Sequence, residues 1–296
     1  RQRQMCIRDS GGTYQIFGDT FANLISSKSK KYNIEVKTTA GSAANLRLLS
    51  KDYIQMAVAQ MDLINDAYNR TGIFENDKKY QGYRAVASLY TECCQIVVRK
   101  DSGITGIDDL INKTVSVGAS ESGSEKNAEQ ILKMSGITDE LINKVNMDYT
   151  EAAEKLKAGE IDAFFCTAGT KTEVIGQLSK ECDICLISLD DKCIDKMLSA
   201  YSLCEKYTIP AGTYNGQDSD VTTIGVKAVL IAKQSLSDDV IKNVTKTIYE
   251  HADDFKYATS LDISFDINTA ADGVDIPFHS GAAAYYTERG INVLTE

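Results

Sequence analysis

The sequence predicts an α/β fold whose sheet is at least partly parallel. Short apolar runs of strand length, such as Met56–Ala59 and Ile161–Cys166, are each followed by a segment typical of a helix. Strands that alternate with helices form α/β units. Small or hydroxyl-bearing residues follow several of these strands. Because ligands of open α/β sheets bind beyond the carboxyl ends of the strands, we expect a binding site at these loops.

Composition limits the classes of function. The chain has 296 residues, of which 43% are hydrophobic and 25% charged, enough for a sizeable core in one or two domains. A net charge of −10 argues against nucleic acid or an anionic membrane surface as partner, so an anionic ligand needs a local site. No apolar run approaches the roughly 18 residues that span a bilayer. We expect no cofactor.

The first ten residues, Arg1–Ser10, are basic, show no apolar pattern and contain no secretory signal. We interpret them as a remnant that is foreign to the folded chain. On this interpretation the missing signal says nothing about the native precursor, which could be exported or lipid-anchored.

Eight cysteines are present, and Cys182, Cys185, Cys193 and Cys204 lie in one segment. A single CxxC pair without a second pair is a weak zinc signal. We predict structural cysteines, either free or disulfide-bonded, and no metal site; redox chemistry is the remaining alternative.

The stretch Val115–Glu125 (VSVGASESGSE) predicts a strand, a Gly- and Ser-rich loop and a helix from Gly123 to Met134. Two interpretations stay open. The first helical amides and the positive helix end form an anion site, with hydroxyl donors from Ser120, Ser122 and Ser124. Alternatively, Ser122 or Ser124 only caps the helix, helped by Glu125. The spacing differs from a P-loop, which argues against nucleotide phosphate.

Similar loops occur elsewhere. A helix begins near Gly11–Tyr14, Ser42 is the predicted N-cap of the next helix, and Gln60 ends a buried strand. Thr167–Thr170 forms a hydroxyl-rich loop after the strand Ile161–Cys166. The pattern also predicts separate strands at Tyr83–Tyr90 and Ile96–Val98, a strand at Val145–Tyr149, and irregular structure at Tyr207–Tyr214.

Several motifs in order resemble one known family. They are Gly11–Tyr14 (GGTY), Gly41–Leu49 (GSAANLRLL), Ile96–Gly103 (IVVRKDSG), Val117–Glu125 (VGASESGSE), Asp162–Gly169 (DAFFCTAG), Ile209–Tyr214 (IPAGTY), Pro277–Ala282 (PFHSGA) and Tyr285–Gly290 (YYTERG). Over about residues 11–290 the chain resembles the TAXI family of solute-binding proteins, the extracytoplasmic receptors of TRAP transporters. That family has an apolar first strand before Gly11, which residues 1–10 do not match.

The resemblance implies a type II periplasmic-binding-protein fold, with two α/β lobes, two crossing strands and the ligand cleft between the lobes. Residues 1–94 and 226–296 would form lobe I, and residues 95–225 lobe II. It implies a non-enzymatic receptor, monomeric and extracytoplasmic. Such a receptor captures a small anionic solute by lobe closure and delivers it to the TRAP transporter membrane permease.

The resemblance and the loops together nominate ligand-binding residues. Those of lobe I are Gly12, Thr13, Tyr14, Ser42, Gln60 and Tyr90; those of lobe II are Ser120, Ser122, Gly123, Ser124, Thr167, Ala168, Gly169 and Tyr214. A dicarboxylate, keto acid or acidic amino acid such as glutamate is the expected solute. For each aromatic residue, core or rim packing is the alternative.

Three further interpretations complete the analysis. A ligand-binding sensor domain, or a cysteine-dependent hydrolase using Cys166, are the alternative functions. Arg47 and Arg99 are expected to be solvated or ion-paired. We expect His279 to form hydrogen bonds within the C-terminal segment.

Overall fold

The computed structural model describes residues 3–6, 13–28, 33–39, 41–259 and 265–296. In these ranges the strands are β1 (Arg3–Cys6), β2 (Ile34–Lys37), β3 (Met56–Gln60), β4 (Tyr83–Arg99), β5 (Thr114–Ser116), β6 (Asn143–Val145), β7 (Ala163–Gly169), β8 (Ile184–Leu186), β9 (Glu205–Ile209) and β10 (Val221–Lys233).

The helices in the same ranges alternate with these strands. They are α1 (Thr13–Lys28), α2 (Ser42–Ser50), α3 (Met61–Asn69), α4 (Gly123–Met134), α5 (Tyr149–Ala158), α6 (Glu173–Glu181), α7 (Asp191–Ala200), α8 (Asp238–Glu250), α9 (Ala252–Thr259) and α10 (Ser280–Thr287). Short 3₁₀ turns include Gly72–Phe74 and Ile107–Leu110. No helix among the described residues is both long and apolar enough to cross a membrane.

The described residues form two compact units. Thr13–Tyr90 and Lys227–Glu296, together with β1, make the first unit, and Thr91–Val226 makes the second. β4 and β10 are neighbours in an open mixed sheet, and each contributes residues to both units. The chain therefore passes from the first unit to the second within β4 and returns within β10.

In the first unit β1 lies between β2 and β3 and is parallel to both. β10 then pairs antiparallel with β3, with Ala228 opposite Gln60 and Ala232 opposite Met56. The expectation that the first ten residues lie outside the fold is wrong for Arg3–Cys6, which occupy the first-strand position. The hydrogen bonds between strands are made by backbone amides and carbonyls, which do not depend on side-chain type. A strand can therefore form where the sequence shows no apolar pattern that predicts it.

In the second unit β7 pairs antiparallel with β4 and parallel with β5, and β5 is parallel to β6. Successive side chains of β7 enter different cores. Phe165 packs in one cluster with Ile131 of α4 and Ile194 of α7, and Phe164 packs in another with Leu156 of α5 and Ile175 of α6. This alternation is the period of a strand covered on both faces, which explains the continuous apolar run.

Helix predictions made from local signals are confirmed. α4 spans the predicted Gly123–Met134, and α5 ends at Gly159 in the left-handed conformation. The strand boundaries were less accurate: β4 is one strand rather than two, and β9 overlaps the start of Tyr207–Tyr214, which was expected to be irregular. Tyr149, predicted to end a strand, begins α5, because Asp148 caps that helix through the Glu151 amide.

Candidate functional site

The turn between β5 and α4 is built for close backbone packing. Gly118 has φ +98°, and a Cβ there would lie 2.7 Å from Ser124 Cβ. Ser122 is the N-cap of α4, and its Oγ accepts a hydrogen bond from the Glu125 amide at 3.1 Å. The capping interpretation of Ser122 is therefore confirmed, and the anion interpretation now rests on the other donors of the turn.

Those donors lie at the start of α4. Ser120 is exposed, and among the described residues neither its hydroxyl nor the amides of Gly123 and Ser124 have an acceptor. The first amides of a helix lack intrahelical acceptors, and the helix dipole favours negative charge beside them. The turn already holds one carboxylate: Glu125 Oε1 accepts from the Glu121 amide at 3.0 Å. It can thus bind carboxylate oxygens through backbone amides.

Ser124 belongs to a closed ring of three hydrogen bonds. The Thr167 amide donates to Ser124 Oγ at 2.8 Å, and the Tyr149 hydroxyl donates to the Thr167 carbonyl at 3.0 Å. Because the Tyr149 proton is committed to that carbonyl, Ser124 donates to Tyr149 Oη. All three residues are buried, so the Ser124 hydroxyl fixes the start of α4 against β7.

The segment Thr167–Gly169, expected as a loop, is the end of β7 and pairs with Cys94, Cys93 and Glu92 of β4. The error arose because the extra length of β7 depends on its partner β4. Ala168 and Gly169 are held in this ladder, and Thr167 is buried. Together with Ser122 and Ser124, Thr167 places three of the predicted positions around one helix start.

Tyr214 lies in the core of the second unit, 5% exposed. Its hydroxyl accepts from the Thr172 amide at 3.0 Å and donates to Gln95 Oε1. Gln95 Nε2 in turn donates to Thr172 Oγ1 at 2.9 Å, and Thr172 Oγ1 donates to the Gly169 carbonyl at 2.8 Å. This network favours the packing alternative for Tyr214, since both roles of its hydroxyl are used.

In the first unit the structure brings Ser42 and Gln60 together. Ser42 Oγ accepts from the Gln60 amide at 3.1 Å, which ties the start of α2 to the end of β3. Ser42 is not the N-cap: Gly41 is, with φ 128° and ψ −168°, which glycine adopts most readily. Asn45, which the sequence analysis missed, strengthens the same junction by donating to the Val58 carbonyl at 2.8 Å.

The remaining positions of the first unit are less informative. Tyr14 and Tyr90 are 7% and 8% exposed and pack mainly in the core. Thr13 begins α1, but its side chain and the whole of Gly12 lie outside the described residues. Ligand contact at all these positions is still a prediction.

Tyr149 and Gln95 were missed by sequence reasoning although they organise the second unit. Tyr149 follows the capping residue Asp148, a local signal that could have placed it at a helix start. Gln95 interrupts the apolar run of β4, and a buried amide needs partners, which Thr172 and Tyr214 supply.

The structure does not favour a nucleophilic cysteine. Cys166 is fully buried in β7, so its thiol is not accessible to a substrate. Burial raises the pKa of Cys93 and of Cys94 to about 12, so both are thiols at neutral pH. The described cysteines other than Cys6 form no disulfide with one another, and the described residues contain no cluster of metal ligands.

The charged residues behave as expected. Arg47 pairs with Asp77, and Arg99 lies 3.4 Å from Asp101 while donating to the Leu156 carbonyl. His279 caps α10 by accepting from the Gly281 amide at 3.1 Å, and its other ring nitrogen bonds the Leu236 carbonyl at 3.0 Å. The bond from Gly281 confirms the expectation that His279 forms hydrogen bonds within the C-terminal segment.

Comparison with protein families decides the family. A model of the NMT1-like family matches residues 9–290. The chain belongs to the NMT1-like family. For this family member the match covers both units and every predicted site position.

Solved structures share the fold at low sequence identity. A protein from Bordetella bronchiseptica RB50 has a TM-score of 0.57 at 15% identity, covering 100% of this chain and 83% of that one. A structure from work on glutathione import via GshT and the cystine ABC importer TcyBC of Streptococcus mutans has a TM-score of 0.58 at 12% identity, with coverages of 90% and 98%.

The alkanesulfonate-binding protein SsuA from Xanthomonas axonopodis pv. citri has a TM-score of 0.53 at 12% identity, covering 96% of this NMT1-like chain and 82% of that chain. These matches show the two-lobed fold of periplasmic binding proteins. At these low sequence identities the matches show the fold and do not identify the ligand.

Proposed function

We propose that this chain is an extracytoplasmic receptor that captures a small organic anion and delivers it to a membrane transporter. The observation that carries the proposal is the start of α4. The amides of Gly123 and Ser124 and the exposed Ser120 hydroxyl lack acceptors among the described residues, while the neighbouring Glu121 amide already binds a carboxylate. In a chain of net charge −10, such a local site is what an anion requires.

The ligand is a dicarboxylate, a keto acid or an acidic amino acid such as glutamate. One carboxylate binds at Ser120 and the amides of Gly123 and Ser124 in the second unit. Ser42 and Gln60 of the first unit are candidate contacts through the resemblance to the family. Because a ligand shifts a conformational equilibrium only through contacts that differ between states, a solute that touches both units stabilises a closed form.

The transporter is of the TRAP type, with this chain as its TAXI-type receptor. The motifs from Gly11 to Gly290 support this class. The structural matches to a protein from work on a cystine ABC importer and to an alkanesulfonate-binding protein support the receptor role in general. Genes for a TRAP permease beside this gene, and solute uptake by that permease only when this chain is added, are the expected results; uptake through an ABC importer would reassign the class.

Thermal shift tests the ligand class. A panel of dicarboxylates, keto acids and amino acids is screened against the full chain. A true ligand at 100 times its dissociation constant adds about 2.7 kcal/mol of stability, or roughly 5–10 °C in Tm. If only neutral or cationic compounds raise the Tm, the anion proposal is wrong.

The site is tested with Ser120→Ala and its control Ser199→Ala, an exposed serine on α7 of the same unit. We expect Ser120→Ala to weaken the binding of the identified anion about tenfold, because a hydrogen bond to a charged group contributes about 1.5–3 kcal/mol. Ser199→Ala should leave affinity unchanged. Equal affinities for both variants would remove Ser120 from the site.

Glu121→Ala distinguishes the solute classes. The Glu121 carboxylate is exposed at the same turn, where it could pair with a ligand ammonium group. If the solute is an amino acid, this variant loses affinity for it while plain dicarboxylates do not. Equal losses for both classes would reject that role for Glu121.

A further inference from the structure

A second polar feature lies wholly within the first unit, and none of the positions proposed above lines it. It is a cavity of about 410 Å³ between the later turns of α2, the end of α3 and the segment Phe74–Tyr83. This volume lies in the range of small-molecule sites. We call it the basic pocket.

The charge of the basic pocket opposes that of the protein. Five cations line it, and Asp77 is the one carboxylate among its lining residues; the cations are Arg47, Lys51, Arg70, Lys78 and Lys79. Asp77 pairs with Arg47, so it offsets a single cation. In a chain of net charge −10, this concentration of positive charge produces a local potential that attracts anions.

The floor of the basic pocket is aromatic. Phe74 and Tyr83 are 4% and 1% exposed, and the rings of Tyr80 and Tyr83 lie 5.9 Å apart at 47°. The Arg47 guanidinium carbon stands 4.9 Å from the Phe74 ring centroid, within cation–π range. Since Arg47 is held by both Asp77 and Phe74, part of the positive wall is preorganised against this floor.

Cations beside a half-buried ring match one class of ligand. Phe74 and Tyr83 are already covered, so among these rings a flat aromatic group can stack on Tyr80, which is half-buried. Lys78 and Lys79 are exposed, so their ammonium groups can reach negative charges at different positions on such a ligand. A monoanion would leave most of the cations unmatched, and an aliphatic polyanion would not stack on Tyr80.

We propose that the basic pocket is a second binding site, for an aromatic polyanion carrying two or more carboxylate or phosphate groups. The site is independent of solute capture, because it shares no residue with the proposed solute site. Its charges come from the segment Phe74–Tyr83 and from the ends of α2 and α3 in the same unit, so it needs no contribution from the second unit.

The test is isothermal titration calorimetry of the full chain with benzene-1,3,5-tricarboxylate at low salt. The comparison ligands are benzoate, with one charge, and cyclohexane-1,3,5-tricarboxylate, with the same charges but no aromatic ring. We expect binding at one site per chain, weaker for both comparison ligands, and declining as salt screens exposed charges. Phenyl phosphate and benzoate compared at equal concentration separate phosphate from carboxylate preference.

The decisive variant is the double substitution Lys78→Ala and Lys79→Ala. It removes two cations that face the ligand, and we expect affinity to fall about tenfold or more. The control is Lys242→Ala with Lys246→Ala, which changes the net charge equally on α8 of the same unit. Lys78, Lys79 and Lys246 are exposed and Lys242 is half-buried, and unchanged melting temperatures would show that folding is intact.

Each outcome bears on the proposal. A loss of tricarboxylate affinity in the Lys78→Ala and Lys79→Ala variant that is absent in the Lys242→Ala and Lys246→Ala variant supports a binding site at the basic pocket. Equal losses of affinity in both double variants would mean that binding depends only on net charge, and this would overturn the proposal. Equally tight binding of cyclohexane-1,3,5-tricarboxylate would overturn it too. Ser120→Ala must leave tricarboxylate binding unchanged. If this variant abolishes tricarboxylate binding, the tricarboxylate occupies the proposed solute site instead. Binding of an acidic peptide without the tricarboxylate would also overturn it.

Discussion

Substitution of Tyr149 by Phe tests whether the hydrogen-bonded ring at the start of α4 stabilises the second unit. The change removes one oxygen and two hydrogen bonds, one to the Thr167 carbonyl at 3.0 Å and one from Ser124. Ser124 and Thr167 are 1% and 3% exposed, so water cannot replace the lost partner without a rearrangement. An unsatisfied buried group costs about 1–3 kcal/mol.

We therefore expect Tyr149→Phe to lower the free energy of unfolding by about 2–4 kcal/mol. Urea denaturation followed by circular dichroism measures this, and the slope against urea should stay constant. The control is Tyr201→Phe, a half-buried tyrosine whose hydroxyl has no hydrogen bond among the described residues; its effect should stay within about 0.5 kcal/mol.

The ring also predicts coupling. Ser124→Ala and Tyr149→Phe both remove the bond between the two hydroxyls, so the double variant should lose about 1 kcal/mol less than the sum of the single variants. Additive effects, or a loss for Tyr149→Phe no larger than for Tyr201→Phe, would refute the reasoning. The three hydrogen bonds would then be incidental to stability.

Three further predictions concern other junctions. Gly118→Ala places a Cβ 2.7 Å from Ser124 Cβ at a φ that L-residues avoid, so we expect a loss of about 3 kcal/mol in thermal or urea unfolding; retained stability would contradict the close approach. Tyr214→Phe leaves Gln95 Oε1 and the Thr172 amide without their partner and should cost about 2 kcal/mol, whereas a loss below 0.5 kcal/mol would show that the pair finds other partners. Burial lowers the pKa of His279 below its usual 6.5, so the unfolded chain binds a proton at this residue more readily than the folded chain does. The contribution of neutral His279 to the free energy of unfolding is therefore complete above pH 6.5 and is lost as the pH drops through the folded pKa. His279→Asn, which can still cap α10, should flatten this dependence between pH 7.5 and 5; an unchanged pH profile would exclude His279 as its source.

The parts of the fold that depend on local signals could be predicted from the sequence. α4 was placed correctly because its cap, its acidic first turn and its apolar spacing all lie within a few residues. The length of β4 and the existence of β9 depend on pairing partners far away in the chain. β9 pairs with β10 through Val221–Gly225, and nothing in Glu205–Ile209 itself signals that partner.

The candidate site shows the same division. Small residues at helix starts indicated the right loops, and Ser122, Ser124 and Thr167 do meet at one of them. The ring that joins Ser124 to Thr167 needs Tyr149, whose side chain reaches across from another helix start. Sequence spacing cannot distinguish a hydroxyl that faces a ligand from one that is committed to such a ring, because that depends on three-dimensional neighbours.

The first unit is assembled from two distant parts of the chain, with β10 completing its sheet beside β3. During translation the residues of β3 therefore leave the ribosome long before their antiparallel partner in β10, and the continuous second unit is synthesised before that partner is complete. A nascent chain arrested before Lys227 should thus contain a folded second unit and an unfinished first one, which chaperones or an export machinery could recognise by its uncovered strand.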